Sequence, residues 1–263
     1  MSGISVDSVP APAFGLSDEL PPLCTAWHKH ARHQILYAVA GVMHLDVDRA
    51  SFLLPPRRAA FLSAGTLHRV RCDRPVSLRT VYVTPDLIGP VAWDCLVFTV
   101  SPLLREMMLS AMRWDHKTDP SLPLLRPYFV SLSLLVLELC EKAKLPFRLP
   151  VPSSDELRRV TQFVRDNLGR PIGVCDLAKA AALSERTLRR RFQSDLGMSP
   201  HDYLHAARIL AAMERLSDPQ QSITMIGLSV GFESSSAFSH AFASFVGETP
   251  RDYRKRALAT LPL

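Results

Sequence analysis

One pattern in this chain is written twice at a fixed offset of 50 residues. GMSPHDY (197–203) returns as GETPRDY (247–253), and ahead of it LSERTLRRRF (183–192) lies over ESSSAFSHAF (233–242). Ser184 thus falls on Ser234, Leu188 on Phe238 and Phe192 on Phe242. Apolar positions four residues apart are a helical period, and a serine just before them is an N-cap. Gly197 and Gly247 suit the C-terminal cap of that helix, and Pro200 and Pro250 suit the first turn of the next. Each copy therefore reads as a short helix, a turn and a second helix. Few folds can use such a unit twice.

What the second helix shows to solvent decides its use. At about 100° per residue, Leu188, Phe192 and Leu196 share one side, and Arg186, Arg189, Arg190 and Gln193 lie opposite with Arg191 at the flank. A run of arginines on a helix is by itself consistent with a solvated face. In a helix-turn-helix, however, the outer face of the second helix enters the major groove, where arginine can meet guanine O6 and N7 bidentately. The second copy buries Phe238, Phe242 and Phe245 and exposes Ser236, Ser239, His240 and Ala243. No arginine or lysine occurs from residue 216 through 250. The first copy is therefore expected to supply most of the base discrimination and charge, and the second to make weaker contacts. The helix between them, near 200–217, would be about 27 Å long, enough to set the reading helices about one DNA turn apart.

These residues carry a family resemblance. LAKAAALSERTLRRRFQSDLGMSPHDYLHAARILAAMERL followed by ITMIGLSVGFESSSAFSHAFASFVGETPRDYRK resembles the DNA-binding domain of AraC/XylS-type transcription regulators, over residues 154–257. The resemblance implies a seven-helix domain whose two helix-turn-helix units, about 173–197 and 222–247, enter successive major grooves. By position it assigns base contact to Arg186, Arg189 and Arg190 and to Ser235, Ser236 and His240, with Gln193 and Ser239 on the same faces. His240 stands where arginine is frequent in the family. Gly227 stands where alanine is expected, and glycine inside a helix costs about 1 kcal/mol.

The other half is different in kind. From residue 34 to 85 short β-branched and aliphatic runs (QILYAVA, VMHLDVD, AAFLSAG, LHRVR, VSLRTVYV) alternate with Gly, Pro and Asp, as in a small sandwich or barrel. Helical spacing follows from Leu103 to Trp114 and from Tyr128 to Lys144, the second helix being apolar round most of its circumference. That needs cover on several sides, from the β domain or from a second subunit. The expected organisation is a flexible segment over 1–20, a sensor and dimerisation domain over 21–144, a proline-rich linker over 145–153 and the helical domain over 154–258. Ser153 with Glu156 predicts a capping box at the start of the last.

WHKHARHQILYAVAG and SAGTLHRV space their side chains as His-x-His-x3-Gln-x6-Gly and then x-x-Gly-x2-His. This resembles the two motifs of cupins, small β-barrels that often hold a metal through three histidines and a carboxylate. A cupin-like barrel ahead of this helical domain also resembles the arm of AraC regulators that senses a ligand and dimerises. The expected fold class is α+β, a cupin-like β-barrel with trailing helices linked to an all-α domain with two helix-turn-helix units. Gln34 replaces the usual Glu, Ser63 the usual Pro and Cys72 the usual Asn. Imidazoles at His28, His30 and His68 with Gln34 could bind one divalent transition metal such as Zn, Ni, Fe or Mn. The alternative is that these side chains line a pocket for an organic effector.

Composition sets bounds on the partners. The charge of +6 and pI near 9.3 favour an acidic partner without singling out either half. Five scattered cysteines with no CxxC suggest reduced thiols in a cytoplasmic protein. No secretory signal is visible in the first twenty residues. Tyr128 to Cys140 is too short an apolar run to span a bilayer, so no membrane partner is expected. The reading is a DNA-binding transcription regulator with a double-stranded operator, a small-molecule or metal effector, a second copy of itself and RNA polymerase as partners, and with no catalytic residues. A metal-dependent cupin enzyme with an appended DNA-binding module is the alternative. It lacks a carboxylate beside these histidines, since Gln34 is neutral. A cysteine redox sensor has only the scattered thiols in its favour.

Overall fold

The computed structural model describes residues 5–143 and 148–258. They form two compact units, a β-rich one of residues 5–47 and 52–143 and a helical one of 48–51 and 148–258.

The β-rich unit is built on strands β1 (Ala13–Leu20), β2 (Leu23–Cys24), β3 (His33–Ala40), β4 (Met43–Val47), β5 (Ala50–Leu54), β6 (Arg58–Leu62), β7 (His68–Cys72), β8 (Val76–Val83) and β9 (Cys95–Thr99). Helices α1 (Pro85–Ile88), α2 (Pro102–Ala111) and α3 (Leu125–Glu141) accompany them. One sheet runs β1–β8–β3–β6–β9, and the other has the order β10–β5–β4–β7–β2, with β10 at Arg148–Pro150. The expected barrel thus takes the form of two five-stranded sheets and not a closed barrel. Along β3 successive side chains point to opposite faces. Ile35, Tyr37 and Val39 join Phe61, Val81 and Phe98 in a core closed by Leu104 and Met108 of α2 and by Phe129, Leu132 and Val136 of α3. Gln34, Leu36 and Ala38 point to the other face, and they too are buried. A strand covered on both faces reads as an unbroken apolar run, which QILYAVA is.

Residues 13–20 are not a flexible arm. Strand β1 pairs with β8 over its whole length, from Ala13 opposite Val83 to Leu20 opposite Val76. Further upstream, Val9, Ala11 and Phe14 are buried with Tyr82. Of the linker, residues 145–147 lie outside the described residues, as does Lys144, while Arg148–Pro150 is strand rather than loose chain. Val151 N–H donates to the carbonyl of Arg49 at 3.0 Å.

The helical unit carries seven helices among its described residues: α4 (Asp155–Asp166), α5 (Val174–Ala181), α6 (Glu185–Leu196), α7 (Pro200–Arg215), α8 (Ile223–Ser229), α9 (Ser235–Val246) and α10 (Pro250–Ala257). The cap of α4 is Ser154, whose side chain accepts from Leu157 N–H, and not Ser153. Ser153 is held elsewhere, its N–H and Oγ–H donating to the two carboxylate oxygens of Asp195 at 2.9 and 2.8 Å.

The repeated motif resolves into four jobs. Gly197 and Gly247 close α6 and α9 with φ of +70° and +87°, a region that costs glycine nothing. Ser199 and Thr249 cap the next helices, accepting from Asp202 N–H at 3.1 Å and Asp252 N–H at 3.2 Å. Their hydroxyls donate back to those same aspartates at 2.7 and 2.6 Å. Tyr203 and Tyr253 are buried edge-on against Phe192 and Phe242, with ring centroids 5.9 and 5.5 Å apart.

Gly227 turns out not to be a simple helix penalty. A Cβ there would lie 2.8 Å from Cγ and Cδ1 of Phe238 and 3.0 Å from its Cβ, so glycine is what lets α8 and α9 meet. Gly227→Ala is expected to destabilise the protein by about 1–3 kcal/mol through overpacking, outweighing the gain in helix propensity. The check is the urea midpoint; an unchanged or higher value would show that the two helices can part freely.

Candidate functional site

Two sites matter, one in each unit. In the helical unit, Ser184 caps α6 and Leu188, Phe192 and Leu196 are buried, so the opposite face is forced outward. Arg186, Arg189, Arg190 and Gln193 are all exposed there. Arg189 lies 4.0 Å from Glu185, and Arg191 reaches Glu156 at 3.4 Å. Neither Arg186 nor Arg190 has an ion-pair partner among the described residues. In α9, capped by Ser234, Phe238 and Phe242 are buried and Ser235, Ser236, Ser239 and His240 are exposed. Phe245, expected to be buried, is only partly so and has its ring 6.4 Å from that of His205. The positions proposed from sequence for DNA contact are therefore all on the surface. What separates the two faces is chemistry: three arginines and a glutamine on α6 against three serines and one histidine on α9.

In the β-rich unit the histidines come together although they sit far apart in sequence. His28 and His68 face each other as an antiparallel pair, each N–H donating to the other's carbonyl at 2.9 Å, which sets their rings 4.3 Å apart. His30 stands edge-on to His68 with centroids 5.2 Å apart. His28 is partly exposed, whereas His30, Gln34 and His68 are buried. The register of β3 and β8 places Gln34 opposite Tyr82 on the face away from α2 and α3. Gln34 Oε1 is 3.1 Å from His30 Nε2 and Gln34 Nε2 is 2.9 Å from Tyr82 Oη. Burial lowers the pKa of His30 and pushes that of His68 down to about 4, so both imidazoles are neutral at physiological pH. Tyr82 was missed in the sequence, though strict alternation in VSLRTVYV puts it on the same face as Leu78 and Thr80. Arg32 was missed too: its buried guanidinium donates to the carbonyls of Ala11, at 2.8 Å, and Val9, and Asp7 accepts from Ala31 N–H at 2.9 Å. Cys72, one of the departures from the cupin pattern, turns its thiol to the carbonyl of Pro21 at 3.3 Å.

Three imidazoles and an amide oxygen are suitable donors for a borderline divalent ion. Yet Gln34 already occupies His30 Nε2, and among the described residues no three His, Cys, Asp or Glu side chains converge in a way that could hold a metal. As arranged, the cluster does not fit one. Among the described residues no helix is long and apolar enough to cross a membrane.

Known proteins match both units. Residues 14–125 match the AraC-like ligand binding domain, and residues 177–256 match a helix-turn-helix domain. The chain is 23% identical over 252 residues to the HTH-type transcriptional regulator NimR of Escherichia coli (strain K12), covering 96% of this chain and 90% of that one. It is 35% identical over 101 residues to the XylDLEGF operon transcriptional activator 3 of Pseudomonas putida, covering 37% of this chain and only 30% of that protein. A solved transcriptional regulator from Chromobacterium violaceum, described by its AraC-type DNA-binding domain, is 31% identical with a TM-score of 0.38, covering 40% of this chain and 95% of that one. With a ligand-binding half and a helix-turn-helix half matched in the same order along one chain, the protein belongs to the AraC family of transcriptional regulators.

Proposed function

We propose that this regulator reads its operator chiefly through α6, with α9 as a weaker second reader, and that an effector bound at the histidine cluster controls it. The observation that carries the proposal is the charge difference between two otherwise repeated frames. Arg186, Arg189 and Arg190 offer bidentate donors to guanine and cations to phosphate, whereas Ser235, Ser236, Ser239 and His240 offer single hydrogen bonds. Across 216–250 the formal charge is negative, from Asp218, Glu233 and Glu248 with no arginine or lysine. Selecting bound DNA from a random pool tests this directly. The recovered sites are expected to carry strong base preference over one groove per subunit and weak preference one turn away; equal information in both would overturn it.

The sensor reading rests on His28, His30, Gln34 and His68 lying together in the unit that matches the ligand-binding domain. An organic effector is the better occupant, because a metal would first have to separate His30 from Gln34. Binding of Zn, Ni, Fe or Mn would require His30 to leave Gln34, and elemental analysis of tag-free protein checks it. A homodimer is supported by α3, where Leu134 stays 56% exposed on a helix whose other side is fully packed. A monomeric mass with and without DNA would exclude it. The resemblance to known activators makes RNA polymerase a further partner, and a cytoplasmic regulator is the setting in which all of these meet.

A further inference from the structure

The two copies of the repeat are joined by more than the helix between them. Helix α7 fixes a distance, but a chain can still swivel where it enters and leaves a helix, so α7 alone does not set the phase of α6 and α9 around a common DNA axis. The turns ahead of the two readers do. Residues 168–170, which lead into α5, lie against residues 229–231, which end α8 and open the turn to α9. A Cβ at Gly169 would stand 2.7 Å from the carbonyl oxygen of Ser229, and one at Gly231 would overlap the carbonyl oxygen of Leu168, so two backbones meet with no side chain between them. Gly231 also has a φ of +92°, in the region that favours glycine. Arg208, in the middle of α7, closes the contact. Its Nη2 donates to the carbonyl of Arg170 at 2.8 Å, and its guanidinium covers Gly231, where an added Cβ would be 2.6 Å from Nη2 and 2.7 Å from Cζ. Further along α7, Arg215 Nη1 donates to Ser229 Oγ at 2.5 Å. Arg208 is half-buried, its Nε has no hydrogen-bond partner, and no carboxylate pairs with it among the described residues. Taking a cation out of water without a counter-ion is costly, and what this one holds is backbone of both copies.

We infer that Arg208 is a positioning residue for DNA recognition: with Gly169 and Gly231 it locks the phase between α6 and α9, so that operators are selected by the spacing of their two groove segments as well as by their bases. One inserted base pair moves the second segment by about 3.4 Å along the duplex and about 35° around it. Readers clamped together cannot follow both displacements, and the short side chains of Ser236 and Ser239 cannot span them. The inference rests on α6 and α9 both touching DNA, as proposed for this regulator.

Gel-shift titrations of the full chain test it on four duplexes: a selected site for one subunit, the same site with one base pair inserted between its two groove segments, the same site cut short of the second segment, and scrambled DNA. In the native protein the cut and the insertion are expected to weaken binding alike, by about tenfold, as for the loss of one or two base contacts. Arg208→Met keeps the apolar stem and removes the donors. Its binding to the selected site is expected to fall severalfold and its insertion penalty to shrink to about twofold, since the readers are no longer preorganised. Arg208→Lys, whose amine can still donate to the Arg170 carbonyl, should regain part of the penalty. Gly169→Ala forces the two turns apart without touching α7, and Gly169 is not in the left-handed region, so this variant is expected to relax the spacing in the same direction even if Arg208→Met fails to fold by circular dichroism. A cut that costs nothing in the native protein would mean that α9 does not touch DNA, and the two-reader proposal would fall together with the inference. A costly cut with a harmless insertion, or an insertion penalty undiminished in the folded variants, overturns the clamp and leaves the two readers standing. A loss in Arg208→Met that is equal on every duplex, scrambled DNA included, would make Arg208 a phosphate contact and overturn its positioning role.

Discussion

Phe192→Ala and Phe242→Ala are expected to remove about 3–5 kcal/mol of stability each, the cost of a large cavity at a fully buried ring. Both rings are 0% exposed and lie edge-on to the tyrosine that ends their copy of the repeat. Either loss is a large part of the roughly 5–15 kcal/mol that holds an ordinary domain together. Because the rings occupy equivalent places in the two copies, the two losses should agree to within about 1 kcal/mol, the spread expected from how far each site can relax. Urea unfolding followed by circular dichroism reads both. If Phe242→Ala shifted the midpoint far less than Phe192→Ala, α9 would be a poorly anchored appendage and not the second half of a repeated frame. A changed slope of the transition would point instead to an unfolding intermediate.

Arg190→Ala carries the second large effect, and it falls on binding, not on folding. Arg190 is exposed with no ion-pair partner among the described residues, so its removal disturbs nothing inside the protein. Specific operator affinity is expected to fall by about 1–3 kcal/mol, roughly tenfold to a hundredfold, as for loss of one bidentate base contact. Arg189→Ala should behave alike but with a smaller net loss, since Glu185 at 4.0 Å already competes for that guanidinium. Gel-shift titrations at one fixed salt concentration, with selected and scrambled DNA, decide the matter. A fall that is equal on both DNAs would make Arg190 a phosphate contact. Unchanged affinity on both would remove it from the interface.

Most of the helical unit was legible in the sequence because its instructions are local. A glycine at positive φ, a hydroxyl cap, a proline in the first turn and a buried tyrosine each act within a few residues, so seven residues suffice to announce them. Strand β1 had no such announcement. AFGLSDEL holds a glycine, a serine and two acids, and it becomes a strand only by pairing with residues 76–83, more than fifty positions away. CLVFT in β9 is a short apolar run that periodicity cannot assign to strand or helix. The choice between Ser153 and Ser154 as cap of α4 is likewise settled at a distance, because Asp195 claims Ser153. The histidine motif announced its members but not the contact of His30 with Gln34 and of Gln34 with Tyr82, which the register of β3 on β8 sets. Gly227 was read from helix propensity alone, and a contact with Phe238 reversed its sign.

The repeated frame leaves the outward positions of α6 and α9 with no duties inside the fold. Stability and target choice are thus written on separate sets of residues, and one can drift while the other stays fixed. A gene duplicated with such a frame can be turned toward a new promoter by a handful of surface changes in α9, where Ser236, Ser239 and His240 stand in the open. The second reading helix is then less a weakened copy of the first than a blank page held at the correct distance from it.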